Sequence, residues 1–192
     1  MTTTPVPKSV PARTKLLRAA ARLFYAHGMI ATGIDAVIAE AGVAKKSLYN
    51  NFSSKEELMQ AYLRERDQEW MELYAHRAAG AATSRQKVLA VFDAYIDHAE
   101  TAYVHGFRGC GLLNAAAELP AGAEGRMIVR AHKERVEQIL AEHLAQAVPA
   151  ERVSGLAEHL SFLLEGAMSR AGLEGGPERL HHARQLAQAL LR

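Results

Sequence analysis

Cations and hydrogen-bonding side chains are concentrated in one short segment of this 192-residue chain, AKKSLYNNFSSK at residues 44–55. The polar members are Lys45, Lys46, Ser47, Tyr49, Asn50, Asn51 and Lys55. The lysines and Tyr49 suit phosphate oxygens, whereas Ser47 and Asn50 are short enough to reach base edges. No Asp or Glu stands between Glu40 and Glu56. An ordinary solvated helix face would explain any one of these residues but fits the whole set poorly, so the segment predicts contact with nucleic acid.

The elements that would position these side chains are two short helices across a tight glycine turn. Before them, apolar side chains at i, i+4, i+7 and i+8 predict an amphipathic helix from Ala12 to Gly28. A second helix is predicted from an N-cap at Thr32 or Gly33 to Gly42, and a third over residues 45–52. The order predicts a helix-turn-helix at about residues 33–52.

The rest of the chain also has the pattern of helices. Two overlapping capping boxes, Ser53 with Glu56 and Ser54 with Glu57, predict the start of a long helix that reaches about Ala79. Glycine and proline signals separate further predicted helices at about 84–104, 110–119, 122–147, 151–171 and 177–191. We therefore predict an all-α fold of about nine helices. Its predicted parts are a disordered arm (1–11), a three-helix DNA-binding domain (12–57) and a helical bundle for ligand binding and dimerisation (58–192).

Composition and charge support this division. The chain has 36 alanines against 17 valines and isoleucines, which favours helix over strand. Residues 1–57 contain eight Lys and Arg against four Asp and Glu, so they carry +4, whereas the remainder carries −2. A basic end on a near-neutral body is typical of a module that meets phosphate or anionic lipid, with chance as the alternative.

Several classes of protein are disfavoured. The single cysteine excludes a disulfide framework or a multi-cysteine zinc site, and no apolar run approaches the roughly 20 residues that span a bilayer. The opening MTTTPVPKSVPAR has no apolar stretch, so a cytoplasmic location is expected. None of the G-x-S-x-G, P-loop, G-x-G-x-x-G or H-E-x-x-H motifs occurs, so an enzyme is not expected.

The stretch RTKLLRAAARLFYAHGMIATGIDAVIAEAGVAKKSLYNNFSSKEELMQAYL resembles the N-terminal domain of the TetR family of bacterial transcriptional regulators. The motifs that carry the resemblance are A-A-x-x-L-F-x-x-x-G, A-G-V and L-Y-x-x-F-x-x-K-E-x-L, over about 50 residues. GCGLLNAAAEL at 109–119 and FLLEGAMSRAGLEG at 162–175 resemble ligand-binding domains of some members.

The resemblance implies roles for individual residues. Phosphate contacts would come from Thr32, Tyr49 and Lys55, and base readout from Lys45, Lys46, Ser47 and Asn50. Three positions depart from the family pattern: Asn51 stands where His is usual, Lys46 replaces a common Gly, and Ile38 occupies a position that is usually Ala. Asn51 would therefore make only a neutral, pH-independent phosphate contact.

The resemblance also implies a homodimer formed by the last two long helices. The candidate interface residues are Leu156, Leu160, Leu163, Ala167, Ala171, Leu180, Ala183, Leu186 and Leu190. The alternative is that these faces pack within one subunit. A dimer would place two recognition helices about 34 Å apart and would bind a near-palindromic operator.

A ligand cavity walled by the middle helices is expected as well. Its candidate residues are Trp70, Tyr74, Phe92, Tyr95, Ile96, His98, Tyr103, Phe107, Cys110, Leu113, Asn114, Glu118, Met127 and His132. Core packing is the alternative for each apolar member, and the polar members are better candidates if they are buried. We expect a mostly apolar, mid-sized inducer and no cofactor.

Two sensing roles are not favoured for this region. Cys110 is either a redox or electrophile sensor or, preferred, a small buried hydrophobic residue. His98 and His105 would lie on one helix face two turns apart, too distant to share an ion, so a metal site is not expected.

These features together predict a homodimeric, ligand-released repressor that binds one DNA sequence. An activator or a ligand-insensitive DNA-binding protein of the same fold is the first alternative. A helical scaffold or membrane-surface protein, using the basic end on lipid, is the second. Preference for one DNA sequence over random DNA separates the DNA-binding regulators from the second alternative, which would bind any polyanion equally.

Overall fold

The computed structural model describes residues 10–101, 103 and 105–192. Within these residues the chain forms nine helices and no strand, which confirms the predicted all-α class. The helices are α1 (Ala12–His27), α2 (Ile34–Ala41), α3 (Lys45–Tyr49), α4 (Lys55–Ala79), α5 (Ser84–Glu100), α6 (Gly111–Ala117), α7 (Glu124–Leu144), α8 (Ala150–Glu174) and α9 (Glu178–Leu190). The arm predicted over 1–11 lies outside the described residues, except for Val10 and Pro11.

The chain divides into two compact units within α4. The first unit runs up to Tyr62 and the second from Leu63 to Arg192. In the first unit, α1 packs against α2 and α3, because the apolar stripe of α1 faces them. Its core includes the edge-to-face pair of Phe24 and Tyr62, with ring centroids 5.3 Å apart.

In the second unit α5 packs against α7, α8 and α9, and α7 packs against α6 and α8. Nine of the seventeen residues of α5 are buried, which makes it the central helix of this unit. A capping box of Thr83 and Gln86 starts α5, and Arg184 of α9 holds Asp93 of α5 at 2.6 Å. These contacts order the bundle that surrounds the candidate ligand residues.

Two helices, α3 and α5, end earlier than predicted from sequence. Helix α3 stops at Tyr49, since residues 50–51 form a turn before Phe52. Helix α5 ends at Glu100 because Thr101 is extended, so His105 lies outside that helix and does not share its face with His98.

The start of α4 and the end of α8 differ as well. The Ser54 hydroxyl oxygen accepts a hydrogen bond from the backbone N–H of Glu57, and the Glu57 carboxylate accepts hydrogen bonds from the backbone N–H and the hydroxyl of Ser53. One cap formed by these three residues therefore replaces the two predicted capping boxes. Helix α8 continues past its predicted end at residue 171 to Glu174, and its C-cap is Gly175 with φ +79°.

No helix of the described residues is both long and apolar enough to cross a membrane.

Candidate functional site

Helices α2 and α3 and the turn between them form a helix-turn-helix. Gly42 adopts the left-handed conformation with φ +61°, which turns the chain sharply after α2. Leu48 and Phe52 are fully buried beneath α3, and Val37 is buried on α2. The buried side chains hold α3 by one face, so its other face is turned toward solvent.

The solvent-facing side of α3 carries the expected hydrogen-bonding groups. Lys45, Lys46, Tyr49 and Asn50 are exposed, and Ser47 is half-buried. Lys45 pairs with Asp35 of α2 at 3.0 Å, and this hydrogen bond raises the pKa of the exposed lysine. The arrangement offers two ammonium groups, a phenol and an amide to an anionic partner.

The structure removes one expected DNA contact. Thr32 is buried, and its hydroxyl donates to the carbonyl of Gly28 at 2.6 Å. Its side chain therefore closes the loop between α1 and α2 and does not point to solvent. Thr32 is removed from the proposed phosphate contacts for this reason.

Two further candidates have internal roles. The Asn51 amide donates one N–H to the Ser47 carbonyl at 2.7 Å and so caps the end of α3, which leaves its second N–H and its oxygen for a partner. The Lys55 ammonium donates to the Ile30 carbonyl at 2.7 Å. Because an ammonium has three donors, Lys55 keeps capacity for a phosphate.

In the second unit, aromatic side chains gather around Trp70. Its ring stacks on Tyr74, lies 5.3 Å from Tyr95 between centroids, and meets His132 edge-on at 5.4 Å. His132 is buried and bonds Asp67 at 2.9 Å. Burial lowers the pKa of His132 to about 4, with Lys133 acting in the same direction and Asp67 opposing it, so the imidazole is neutral at pH 7.

A second aromatic group adjoins the first along α5. His98 contacts Tyr103 and Phe107 edge-on, with centroids 5.9 Å and 6.4 Å away. Burial lowers the pKa of His98 to about 4, and the nearby Arg66 acts in the same direction. A cleft of about 380 Å³ opens beside His98 and Tyr103.

Lys133 is the centre of a partly buried polar network that sequence reasoning missed. Its ammonium lies 2.7 Å from Glu165 of α8, 3.3 Å from the Tyr95 hydroxyl and 3.7 Å from the Cys110 sulfur. Burial opposes its charge, but Tyr95, Cys110 and Glu165 raise the pKa of Lys133 above its usual value. The available signal was its spacing, because Lys133 follows Val129 by four residues on the apolar stripe of α7.

The remaining ligand candidates separate into three groups. Cys110 and Ile96 are buried, and Phe92 lies in the closed core at 0% exposure. Asn114 and Glu118 are exposed, so the burial on which their selection depended is absent. Leu113 and Met127 are also exposed. Among the described residues, no group of three His, Cys, Asp or Glu side chains is placed to hold a metal ion.

Helices α8 and α9 leave an apolar face uncovered. Phe162 is 66% exposed and borders a cleft of about 330 Å³ that Leu163, Ala167, Ala183 and Leu186 also line. Five of the predicted interface residues are buried within the second unit: Leu156, Leu160, Ala171, Leu180 and Ala183. Leu163, Ala167 and Leu190 are partly exposed. The outward face is therefore narrower than the expected set and includes Phe162, which the spacing of leucines did not indicate.

Comparison with known proteins extends over both units. Residues 16–62 match the model of bacterial regulatory proteins of the tetR family, and residues 82–187 match that of the tetracyclin repressor-like C-terminal domain. The HTH-type transcriptional activator FasR of Mycolicibacterium smegmatis is 34% identical over 88 residues, which are 46% of this chain and 40% of that relative. The chain thus matches less than half of the length of this curated relative.

Solved structures match along nearly the whole chain. A TetR-family transcriptional regulator from Streptomyces coelicolor shares 33% identity and a TM-score of 0.85, with 95% of each chain covered. A putative TetR transcriptional regulator from Streptomyces avermitilis shares 27% identity and a TM-score of 0.73, with 92% of this chain and 97% of that chain covered.

Proposed function

The chain belongs to the TetR family of bacterial transcriptional regulators, and from this premise we propose that it is a homodimeric repressor that a small molecule releases from a near-palindromic operator. The exposed polar face of α3 is the observation that supports DNA binding. The buried aromatic and polar groups of the second unit support ligand control.

Helix α3 supplies both kinds of DNA contact in this proposal. Lys45, Lys46 and Tyr49 are exposed and bind phosphates, while Asn50 and Ser47 read base edges. The anchored Leu48 and Phe52 keep the helix rigid, so little conformational entropy is lost when it enters the major groove. In the free protein Lys45 is paired with Asp35. On DNA, the Lys45 ammonium either leaves Asp35 for a phosphate or stays paired with Asp35 and orders the start of α3.

The dimer forms through the exposed face of α8 and α9 in this proposal. An exposed apolar cleft bordered by Phe162 and Leu186 is the kind of surface that an oligomer covers. Family membership supplies the occupant, which is a second copy of the chain. Two copies present two α3 helices about one DNA turn apart, roughly 34 Å, and therefore read two half-sites.

Ligand control requires a difference in affinity between two conformations. A ligand releases the operator only if it binds the DNA-free conformation more tightly, by about 1 to 3 kcal/mol for a useful switch. The aromatic and polar groups of the second unit provide this discrimination in the proposal.

The test begins with selection of bound sequences from a random duplex library. Fluorescence anisotropy then compares the selected duplex with a shuffled duplex of the same composition, over a series of salt concentrations. A sequence-specific regulator prefers the selected duplex by at least about 1000-fold. Equal binding to both duplexes and to anionic lipid vesicles would refute the proposal.

Two substitutions on α3 separate backbone contact from base readout. Lys46→Ala weakens both duplexes and flattens the salt dependence by about one ion, because a phosphate contact is lost. Asn50→Ala instead relaxes the preference at one base position by about 1 to 3 kcal/mol. Lys87→Ala removes the same charge from α5 in the second unit and leaves both measurements unchanged.

Activation is the second candidate function, because the curated relative FasR is a transcriptional activator. Both activities use the same DNA contacts, so binding curves do not distinguish them. In vitro transcription from a promoter that carries the selected operator does. A repressor lowers the transcript level, whereas an activator raises it.

A further inference from the structure

Four side chains from four helices form a continuous polar cluster in the second unit, in which Trp70 and Tyr95 are buried and Lys133 and Glu165 are partly buried. Trp70 (α4) lies against Tyr95 (α5), the Tyr95 hydroxyl lies 3.3 Å from the Lys133 ammonium (α7), and Lys133 lies 2.7 Å from Glu165 (α8). We call these residues the Trp70–Glu165 cluster.

Two atoms at the ends of this cluster have no hydrogen-bond partner. Trp70 is 5% exposed, and its Nε1–H is buried without an acceptor. The Glu165 Oε2 atom is buried without a donor, while its Oε1 atom takes the Lys133 ammonium. Leaving such a group unpaired costs about 1 to 3 kcal/mol, and native proteins keep very few of them. A donor and an acceptor left open in one cluster point to a molecule that completes both.

The charges of the cluster indicate which molecules it accepts. The Lys133 ammonium and the Glu165 carboxylate cancel each other at 2.7 Å. The neighbouring imidazoles of His98 and His132 are neutral at pH 7, because burial lowers the pKa of each to about 4. No unbalanced charge therefore remains in the cluster to offset the desolvation of an ionic ligand.

We propose that the Trp70–Glu165 cluster binds an uncharged aromatic or alicyclic small molecule that accepts a hydrogen bond from Trp70 Nε1–H and donates one to Glu165 Oε2. The aromatic rings of Trp70, Tyr74 and Tyr95 provide the apolar walls for its body. The inference rests on the proposed ligand control and specifies the chemical class of the ligand. Ordered water is the competing occupant of both open atoms.

Trp70 is the single tryptophan of the chain, so its indole N–H gives one resonance in an ¹⁵N–¹H spectrum of the full-length protein. Four small probes differ in the groups they offer. 4-Hydroxyacetophenone has a hydroxyl donor and a carbonyl acceptor, whereas 4-methoxyacetophenone keeps the carbonyl but has no donor. 4-Methylphenol keeps the hydroxyl but has no carbonyl, and 4-hydroxybenzoate is ionised. We expect 4-hydroxyacetophenone to shift the indole resonance saturably and to bind about tenfold more tightly than the other three, since each lacks one hydrogen bond or adds a charge. If none of the probes moves the indole resonance, ordered water alone occupies the open atoms and the proposal is overturned. Binding of 4-hydroxybenzoate that is as tight as that of 4-hydroxyacetophenone, or tighter, also overturns it.

Glu165→Gln tests the donor end of the ligand. A carboxylate accepts a hydrogen bond more strongly than an amide, so the preference for the hydroxyl over the methoxy probe falls from about tenfold to about threefold. The affinity for 4-methoxyacetophenone stays the same, whereas equal weakening of both probes in a folded variant would contradict the assignment. Glu134→Gln, on the exposed side of α7, serves as the matched control and keeps the tenfold preference. If Glu165→Gln does not fold, the probe series on the unsubstituted chain still tests the proposed ligand class.

Operator anisotropy in the same samples separates this inference from the proposed function. A probe that shifts the indole resonance without changing operator occupancy supports the ligand class and refutes release through this cluster. Failure to bind any selected operator refutes the proposed function, whatever the indole resonance shows.

Discussion

Alanine at Gly172 tests a close backbone contact between α8 and the loop before Cys110 in the second unit. A Cβ atom on Gly172 would lie 2.6 Å from the Cα and N atoms of Gly109 and 2.8 Å from the carbonyl carbon of Arg108. These are backbone atoms, and carbon atoms in favourable contact are about 3.5 to 4.0 Å apart. The loop before Cys110 must therefore move by nearly 1 Å, or α8 must bend.

The expected loss of stability follows from two opposing effects. Overpacking costs about 1 to 3 kcal/mol, and we take the upper value of about 3 because rigid backbone is displaced. Alanine is about 1 kcal/mol better than glycine inside a helix, so the net destabilisation is about 2 kcal/mol. The control is Gly155→Ala on the same helix, where no atom lies within 4 Å of the new Cβ. This change should stabilise the protein by about 1 kcal/mol.

Urea unfolding at one fixed protomer concentration measures both variants, with helical circular dichroism as the signal. The two free energies of unfolding should differ by about 3 kcal/mol, with Gly172→Ala the less stable. If Gly172→Ala is as stable as Gly155→Ala, the close approach of α8 to the Gly109 loop does not hold in solution and the reasoning is refuted.

Three further predictions concern protonation, assembly and DNA contact. The protein loses stability between pH 7.5 and pH 5, because the unfolded histidine binds a proton below pH 6.5 and the buried His132 only below about pH 4. His132→Gln should reduce this loss by about 2 kcal/mol, as measured by urea unfolding at both pH values. An unchanged pH dependence of the free energy of unfolding would contradict the prediction. Phe162→Asp should give monomers in light scattering, whereas Met127→Asp, at an apolar site on α7 that is 57% exposed, should not; dimers in both variants would exclude the α8–α9 face. Lys55→Ala should weaken specific and random DNA alike and lower the salt slope by about one ion. Weaker binding with an unchanged slope would show that Lys55 acts only through its bond to the Ile30 carbonyl.

The helix-turn-helix could be predicted closely because its determinants are local. Leu48 and Phe52 are four residues apart and are both buried, as their helical spacing indicates. Gly42 was predicted as the end of α2 and adopts the left-handed conformation that favours glycine. The internal bonds of Thr32 and Asn51 could not be predicted, since either side chain can serve the backbone or a partner equally well.

The candidate ligand site could be predicted only in part. The aromatic residues Trp70 and Tyr95 were selected, and they are in contact. The pairing of Lys133 with Glu165 was not, because 32 residues separate them and their contact depends on how α7 and α8 pack. Asn114 is exposed although its neighbours Leu112 and Ala115 are buried, which the short α6 sequence does not indicate.

The sequence by itself determined the helices, the helix-turn-helix and the family, because periodic spacing, glycine caps and short motifs act over a few residues. Only the tertiary structure decided which face of each amphipathic helix meets a neighbour. It buried Leu160 and Leu180 but exposed Phe162 on the same pair of helices, and it made Gly172 a contact point where the sequence suggested a helix end. The physical reason is that burial and unpaired polar atoms depend on side chains from helices distant in sequence, whose alignment no local pattern encodes.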